Sequence, residues 1–195
     1  TPTAAQLVYQ YDYADRLVVV ADLQTGLAQP VASYTYDAAG RRISKTIYPS
    51  GLPPVTTEFV HDWRDNDCDG DIIEERVNGT LRRTYAFPHI LETKGRVMFT
   101  EGGETFYFHA DEAGNTLALT DASGTVVERC DYDDYGMPIF LSTDGLPTGE
   151  TESGVGNPFL FHGMEWDTEI GFYRQASGGY FDPQMGRLII SNNGL

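Results

Sequence analysis

The chain has 195 residues, enough for one or two domains with a real core. Thirteen Lys and Arg against 29 Asp and Glu give a formal net charge of −16, so nucleic-acid phosphates and anionic lipid are excluded as partners of the surface as a whole. No apolar run approaches the roughly 18 residues of a membrane span, nothing at the N-terminus reads as a signal peptide, and a hydrophobic content of 41% excludes general disorder.

The start at Thr1-Pro2-Thr3, without Met, reads as a processed or excised piece. Gly (21) and Pro (10) are spread along the chain and break any long helical period. Tyr, Phe, Val, Ile and Thr dominate the segments between them, which predicts short strands and an all-β fold. Tyr11-Asp12-Tyr13-Ala14-Asp15 opens a series of Tyr-Asp-x-x-Gly units, with Asp in place of Gly. Tyr36-Asp37-Ala38-Ala39-Gly40 is complete, and it predicts a hairpin between Val31–Tyr36 and Arg41–Tyr48. Asp65-Asn66-Asp67-Cys68-Asp69-Gly70-Asp71 resembles the start of a calcium loop, with Asp65, Asp67, Asp69 and Asp71 as its candidate ligands. The twelfth position is Arg76, where a bidentate Glu belongs, so an acidic surface loop is the preferred reading. Asn78-Gly79-Thr80 fits a glycosylation sequon and reads as a turn.

Ala110-Asp111-Glu112-Ala113-Gly114 lacks the Tyr, and Tyr132-Asp133-Asp134-Tyr135-Gly136 is complete. Between them Thr116–Thr120 and Thr125–Cys130 predict a second hairpin across Asp121-Ala122-Ser123-Gly124. Each unit has a physical sense. The aromatic closes a strand on the core, Asp accepts backbone amides ahead of it, and Gly takes the left-handed turn. One hairpin cannot bury its own face, so successive antiparallel hairpins must stack. Residues 141–157, rich in Ser, Thr, Gly and acid, read as an exposed loop between a repeat segment (1–140) and a C-terminal region (158–195).

Cys68 and Cys130 allow one bridge at most and fit no zinc spacing; two unpaired thiols are the preferred reading. His61, His89, His109 and His162 show no metal spacing, and no nucleophile elbow or phosphate loop is present. No cofactor is expected.

The C-terminal region reads Asn157-Pro158-Phe159-Leu160-Phe161-His162-Gly163-Met164-Glu165-Trp166-Asp167, then Gly171-Phe172-Tyr173, then Gly179-Tyr180-Phe181-Asp182-Pro183-Gln184-Met185-Gly186-Arg187-Leu188-Ile189. Together with the Tyr-Asp units this resembles the Rhs/YD-repeat family and its Rhs-associated core domain. The resemblance implies part of a spiralling β-sheet shell with a C-terminal plug, which encapsulates a toxin that follows the core domain. It implies the chain's own toxin or the remaining shell segments as partners, with no nucleic acid and no membrane insertion by this segment. Secretion, delivery by a secretion system, or a place at the cell surface follows. The alternative is a binding or adhesion module of the same repeats, with no cargo and no catalysis.

The resemblance also implies self-cleavage by an aspartyl mechanism after Leu195. Such chemistry needs one ionised and one protonated carboxyl, and two acids about 3 Å apart share a proton. Asp167 matches the family's first aspartate, in a Glu-x-Asp-x-x-x-Gly stretch. The second lies in an Asp-Pro-x-Gly-Leu motif, but the matching stretch here is Ser191-Asn192-Asn193-Gly194-Leu195, which lacks the acid. Asp182 is the candidate to replace it, against a plainer role as a turn cap. Arg174 and Arg187 are nearby, and pairing with an acidic neighbour is the preferred reading for both.

Overall fold

The computed structural model describes residues 7–23, 28–62, 71–87, 95–175 and 178–189. Among them there is no α-helix. Twelve strands form one antiparallel sheet in sequence order: β1 (Leu7–Tyr11), β2 (Leu17–Asp22), β3 (Gln29–Tyr36), β4 (Arg42–Ile47), β5 (Val55–His61), β6 (Ile72–Val77), β7 (Thr80–Ala86), β8 (Met98–Glu101), β9 (Glu104–Ala110), β10 (Thr116–Asp121), β11 (Val126–Tyr132) and β12 (Pro138–Leu141). Four more, β13 (Glu165–Asp167), β14 (Phe172–Arg174), β15 (Tyr180–Asp182) and β16 (Arg187–Ile189), form a second sheet. The first sheet is open, and both predicted hairpins are present as β3–β4 and β10–β11. The chain divides into two compact units, with the boundary between Leu81 and Arg82; the second unit holds 82–175 and 180–189.

The turns explain why the hairpins form. In each of five turns one oxygen of an Asp accepts two backbone amides, two and four residues ahead. Asp12 takes Ala14 and Arg16, Asp37 takes Ala39 and Arg41, Asp111 takes Ala113 and Asn115, Asp121 takes Ser123 and Thr125, and Asp133 takes Tyr135 and Met137, all at 2.8–3.0 Å. The residue three after the Asp has positive φ: Gly40, Gly114, Gly124 and Gly136 lie between 82° and 89°, and Asp15 holds 60° without being glycine. In three turns the second Asp oxygen binds the side chain four residues on, namely Arg16, Arg41 and Asn115.

In the first unit the core lies on one face of the sheet. Cross-strand register aligns Tyr9, Val20 and Ala32 on that face, and Leu17, Tyr34, Phe59 and Ile72 are also buried. Arg42 is fully buried there, its guanidinium stacked over Tyr34 and Phe59 at 5.0 and 5.4 Å from the ring centroids. The opposite face pairs hydroxyls across strands, Thr35 with Ser44 at 2.6 Å and Thr46 with Thr56 at 2.9 Å. The second unit places Phe99, Phe106, Leu119, Cys130 and Phe140 in its core. Here the small sheet packs on the large one. Trp166, Tyr173 and Leu160 cluster with Cys130 and Phe140, flanked by Tyr132, Met137, Phe161, Met164 and Phe181.

Polar bonds fix the same junction. Thr116 donates its Oγ1 hydrogen to Phe159 O (2.8 Å) and its amide to Leu160 O (3.2 Å), and Tyr173 Oη donates to Gly136 O (2.8 Å).

After β12 the chain folds back. Leu141 bridges Pro147, and Thr148 gives both its amide (2.9 Å) and its hydroxyl (3.0 Å) to Phe140 O. The segment expected as an exposed loop is exposed over 144–152 and then turns inward, with Ser153 and Asn157 buried.

Candidate functional site

The small sheet has two unlike faces. Strand alternation and register put Trp166, Tyr173, Phe181 and Leu188 in one row, and the first three of these belong to the packed cluster. The other face carries two rows, Glu165–Arg174–Tyr180–Ile189 and Asp167–Phe172–Asp182–Arg187. Four charged residues of this face are buried: Glu165 is 4% exposed, Asp167 0%, Arg174 8% and Asp182 8%. Ionised groups are rarely buried without a purpose or a partner, which makes this face the candidate site.

Asp167 ends β13. Its main-chain carbonyl accepts the amides of Ile170 (3.1 Å) and Gly171 (2.9 Å), and Gly171 has a φ of 71°. The Asp-x-x-x-Gly spacing is thus the geometry of a turn that presents Asp167 at its start. Asp182 ends β15 and caps the next turn: its Oδ1 accepts the amides of Gln184 (2.8 Å) and Met185 (3.2 Å). Gly186 completes that turn at a φ of 60°, under the ring of Tyr135.

Asp167 and Asp182 share a face but are not neighbours. Phe172 stands between them, so their backbones are two strand spacings apart, about 10 Å. A shared proton requires both side chains to lean across Phe172. Arg187 is the direct cross-strand partner of Asp182, and Arg174 that of Glu165.

The other sequence candidates are dispersed. Ser191, Asn192, Asn193, Gly194 and Leu195 lie outside the described residues, as do Asp65, Asp67, Cys68, Asp69 and His89. Asp71 is described and exposed, and its carbonyl accepts the amide of Asp62 at 2.9 Å, closing the base of the acidic loop. No group of three or more His, Cys, Asp or Glu among the described residues is placed to hold a metal. His61 Nε2 meets Arg42 O at 2.9 Å, His109 Nε2 meets Thr120 Oγ1 at 2.9 Å, and His162 Nδ1 meets Ala113 O at 3.0 Å. Cys130 is a buried free thiol whose pKa is pushed up by burial and by the charge of Glu128.

Sequence reasoning missed a polar clasp in the same unit. Glu128, buried on β11, accepts the Ser153 hydroxyl (2.8 and 2.9 Å) and the Gly154 amide (2.6 Å). Ser153 Oγ in turn accepts the Asn157 amide at 2.8 Å. The fully buried Arg83 side chain donates from Nη1 to Gly156 O (2.8 Å), pairs with Glu101 and lies 4.3 Å from the Phe99 ring centroid. These bonds join residues up to 73 positions apart, so no local spacing announces them.

Comparison with known proteins gives a consistent pattern. No family profile matches the chain. It is 25% identical over 184 residues to the tRNA3(Ser)-specific nuclease WapA of Bacillus spizizenii, covering 94% of this chain and 7% of that protein. It is 24% identical to the double-stranded DNA deaminase toxin A of Burkholderia cenocepacia, covering 93% of this chain and 13% of that one. Among solved structures, the TcdB2-TccC3 crystal structure superposes with a TM-score of 0.63 at 15% identity, over 96% of this chain and 9% of that one. A Tc holotoxin pore of Photorhabdus luminescens gives a TM-score of 0.64 at 15% identity, over 95% of this chain and 9% of that one. The chain therefore shares its fold with a short part of Tc toxin chains and is similar in sequence to short segments of nuclease and deaminase toxins.

Proposed function

We propose that the chain is the terminal part of an Rhs-type β-cocoon that encapsulates a C-terminal toxin and frees it by aspartyl-type self-cleavage after Leu195. In this reading residues 1–140 are shell wall, 141–157 a connecting loop, and 158–195 the plug with its cleavage region. The observation that carries the reading is the small sheet of the second unit. It seals its aromatic face onto the last strands of an open sheet and keeps Asp167 and its charged neighbours buried on the other. A solved neighbour of the same fold is described as TcdB2-TccC3 without its hypervariable C-terminal region, which fits a variable segment following a constant one. The partners are the chain's own toxin and further shell segments, and the route is secretion or delivery by a secretion system.

The test is to express the complete reading frame containing this chain and follow the polypeptide beyond Leu195. Encapsulation predicts that this polypeptide co-purifies with the shell and resists a protease that digests it when it is made alone. Self-cleavage predicts an intact mass ending at Leu195, and a single uncut mass for Asp167→Asn. Digestion at the same rate in both contexts defeats encapsulation and leaves the adhesion-module reading.

A further inference from the structure

Residues 144–152 are exposed without a break, yet the chain is fastened on both sides of a short stretch within them. On the near side Leu141 bridges Pro147, and Thr148 gives its amide and its hydroxyl to Phe140 O. On the far side Ser153 and Gly154 donate to the buried Glu128 carboxylate, and Arg83 donates to Gly156 O. Over 149–152 the main chain makes no bond to other main chain among the described residues. Its ties there are two long ones, from the Glu150 amide to Thr148 Oγ1 at 3.2 Å and from Trp166 Nε1 to Thr151 O at 3.3 Å.

A protease must draw its substrate into an extended form, and an exposed stretch without backbone partners yields to it at little cost. The residue types narrow the enzyme. Gly149-Glu150-Thr151-Glu152 holds two glutamates, and no Lys or Arg stands between Arg129 and Arg174. Leu146 precedes Pro147, whose ring leaves no N–H at that bond. Exposure alone does not single these glutamates out, because Glu58, Glu104 and Glu112 are exposed too. Glu58 is paired on both sides, with Ser44 and Arg76, and Glu104 pairs with Glu101 across the turn between β8 and β9. Glu112 lies inside the Asp111 turn, just before the Ala113 amide that Asp111 holds.

We propose that Glu150 and Glu152 form a processing site for a glutamate-specific endoprotease, and that the two resulting chains stay docked. The inference needs neither encapsulation nor self-cleavage. The step at Glu150 is a hydrolysis. A water oxygen bonds to the Glu150 carbonyl carbon, the C–N bond to Thr151 breaks, and the Thr151 nitrogen takes a proton from that water. One water is consumed, one carboxyl and one amino group appear, and the protease is regenerated. The bond after Glu152 leads into Ser153, which the clasp holds, so Glu150 is cut first.

Docking survives because no contact of the junction runs through the cut. The new carboxyl end lies two residues after Thr148, which stays tied to β12. The C-terminal piece still supplies Leu160, Trp166 and Tyr173 to the cluster with Cys130 and Phe140, and it still accepts the Thr116 bonds. One covalent chain becomes two that this junction and the clasp hold together.

The experiment uses the 195-residue chain carrying Glu92→Gln, since Glu92 lies outside the described residues. It is treated with a glutamate-specific serine endoprotease at neutral pH. Pieces are weighed intact over time, and the cut chain is passed through a sizing column with and without urea. Pieces ending at Glu150 or Glu152 are expected about tenfold or more sooner than pieces ending at Glu58, Glu104 or Glu112, whose bonds must first leave a strand or a turn. Glu150→Gln with Glu152→Gln, both at the surface, is expected to fold as the parent does and to lose the early cut. The cut chain is expected to elute as one species without urea and as two with it. Pieces ending at Glu58, Glu104 or Glu112 that appear as early, or an early cut that persists in the double Gln variant, overturn the site. Separation of the two pieces without urea overturns the docking.

Discussion

Tyr36 Oη donates a 2.7 Å hydrogen bond to the main-chain carbonyl of Leu17, five residues after the turn aspartate Asp12. Tyr132 repeats the bond: its Oη donates to Thr116 O at 2.7 Å, and Thr116 lies five residues after Asp111. In both units the tyrosine therefore latches onto the adjacent strand, at the residue five after an earlier turn aspartate. This gives the Tyr half of the unit a purpose distinct from the Asp half. One ties neighbouring hairpins together, and the other shapes the turn within a hairpin.

Replacing either latch with Phe removes one hydroxyl and strands one carbonyl. Tyr36→Phe and Tyr132→Phe are each expected to lower stability by about 1–3 kcal/mol, measured by urea unfolding. Burial pushes the pKa of Tyr132 up.

The turn aspartates make the fold sensitive to acid. The pKa of Asp111 is lowered by hydrogen bonds from the Asn115 backbone and side chain, and that of Asp12 by the Arg16 side chain. At Asp37 burial raises the pKa, but bonds from Arg41 outweigh it and the net shift is downward. A lowered folded-state pKa favours the charged form on folding, so the stabilisation is complete above the unfolded value of about 3.9. It is lost as pH falls through that value toward the folded one. Thermal melting between pH 6 and 2.5 should show a falling midpoint. Asp37→Asn, which cannot titrate, should lower the midpoint at pH 6 and flatten the pH dependence.

Two glycines with the same backbone angle separate strain from crowding. Gly136 and Gly145 have φ of 89° and 87°. A Cβ on Gly145 meets nothing within 4 Å, whereas one on Gly136 falls 2.5 Å from the Phe161 ring. Gly145→Ala should cost only the left-handed penalty, about 1–2 kcal/mol. Gly136→Ala should cost that plus about 1–3 kcal/mol of overpacking, because Phe161 must leave its place in the junction. Equal unfolding midpoints for the two variants contradict this account.

The Glu128 clasp predicts a large effect from one hydroxyl. Ser153→Ala removes the hydroxyl that lies within hydrogen-bond distance of both Glu128 oxygens and, with it, the acceptor of the Asn157 amide. About 1–3 kcal/mol is expected to be lost, with amide exchange faster over 153–157. The pKa of Glu128 is raised, chiefly by burial, opposite in sign to the turn aspartates. Folding therefore favours its protonated form. That stabilisation is full below the unfolded value of about 4.3 and is lost as pH rises through the folded value.

What the sequence made readable is what short-range bonds build. An aspartate that reaches amides two and four residues on, followed by a glycine at the left-handed position, leaves its trace in consecutive letters. Asp37 to Arg41 and Asp133 to Met137 could be read directly. Even there Asp121-Ala122-Ser123-Gly124 passed as an ordinary hairpin connection because it has no Tyr, although its bonds match those of the other four turns. On the charged face of the small sheet Asp167 and Asp182 were readable as candidates, and Arg174 and Arg187 only as cations that pair with some acidic neighbour. Glu165 and Arg174 join them through strand register, and register is decided by which apolar row meets Cys130 and Phe140. The Arg83 and Glu128 contacts depend on how a loop returns to strands 25 to 73 residues away, which composition does not encode.

The fold-back after β12 has a consequence for how this protein lives at high concentration. Exposed strand margins recruit other chains, and open sheets are prone to stick to their own copies. At Phe140 the carbonyl is already doubly engaged by Thr148, and the residue bridging Leu141 is Pro147, which has no N–H to offer a newcomer. A stray strand that reaches this end of β12 finds neither partner it needs, so intermolecular zippering is blocked there by the chain's own loop.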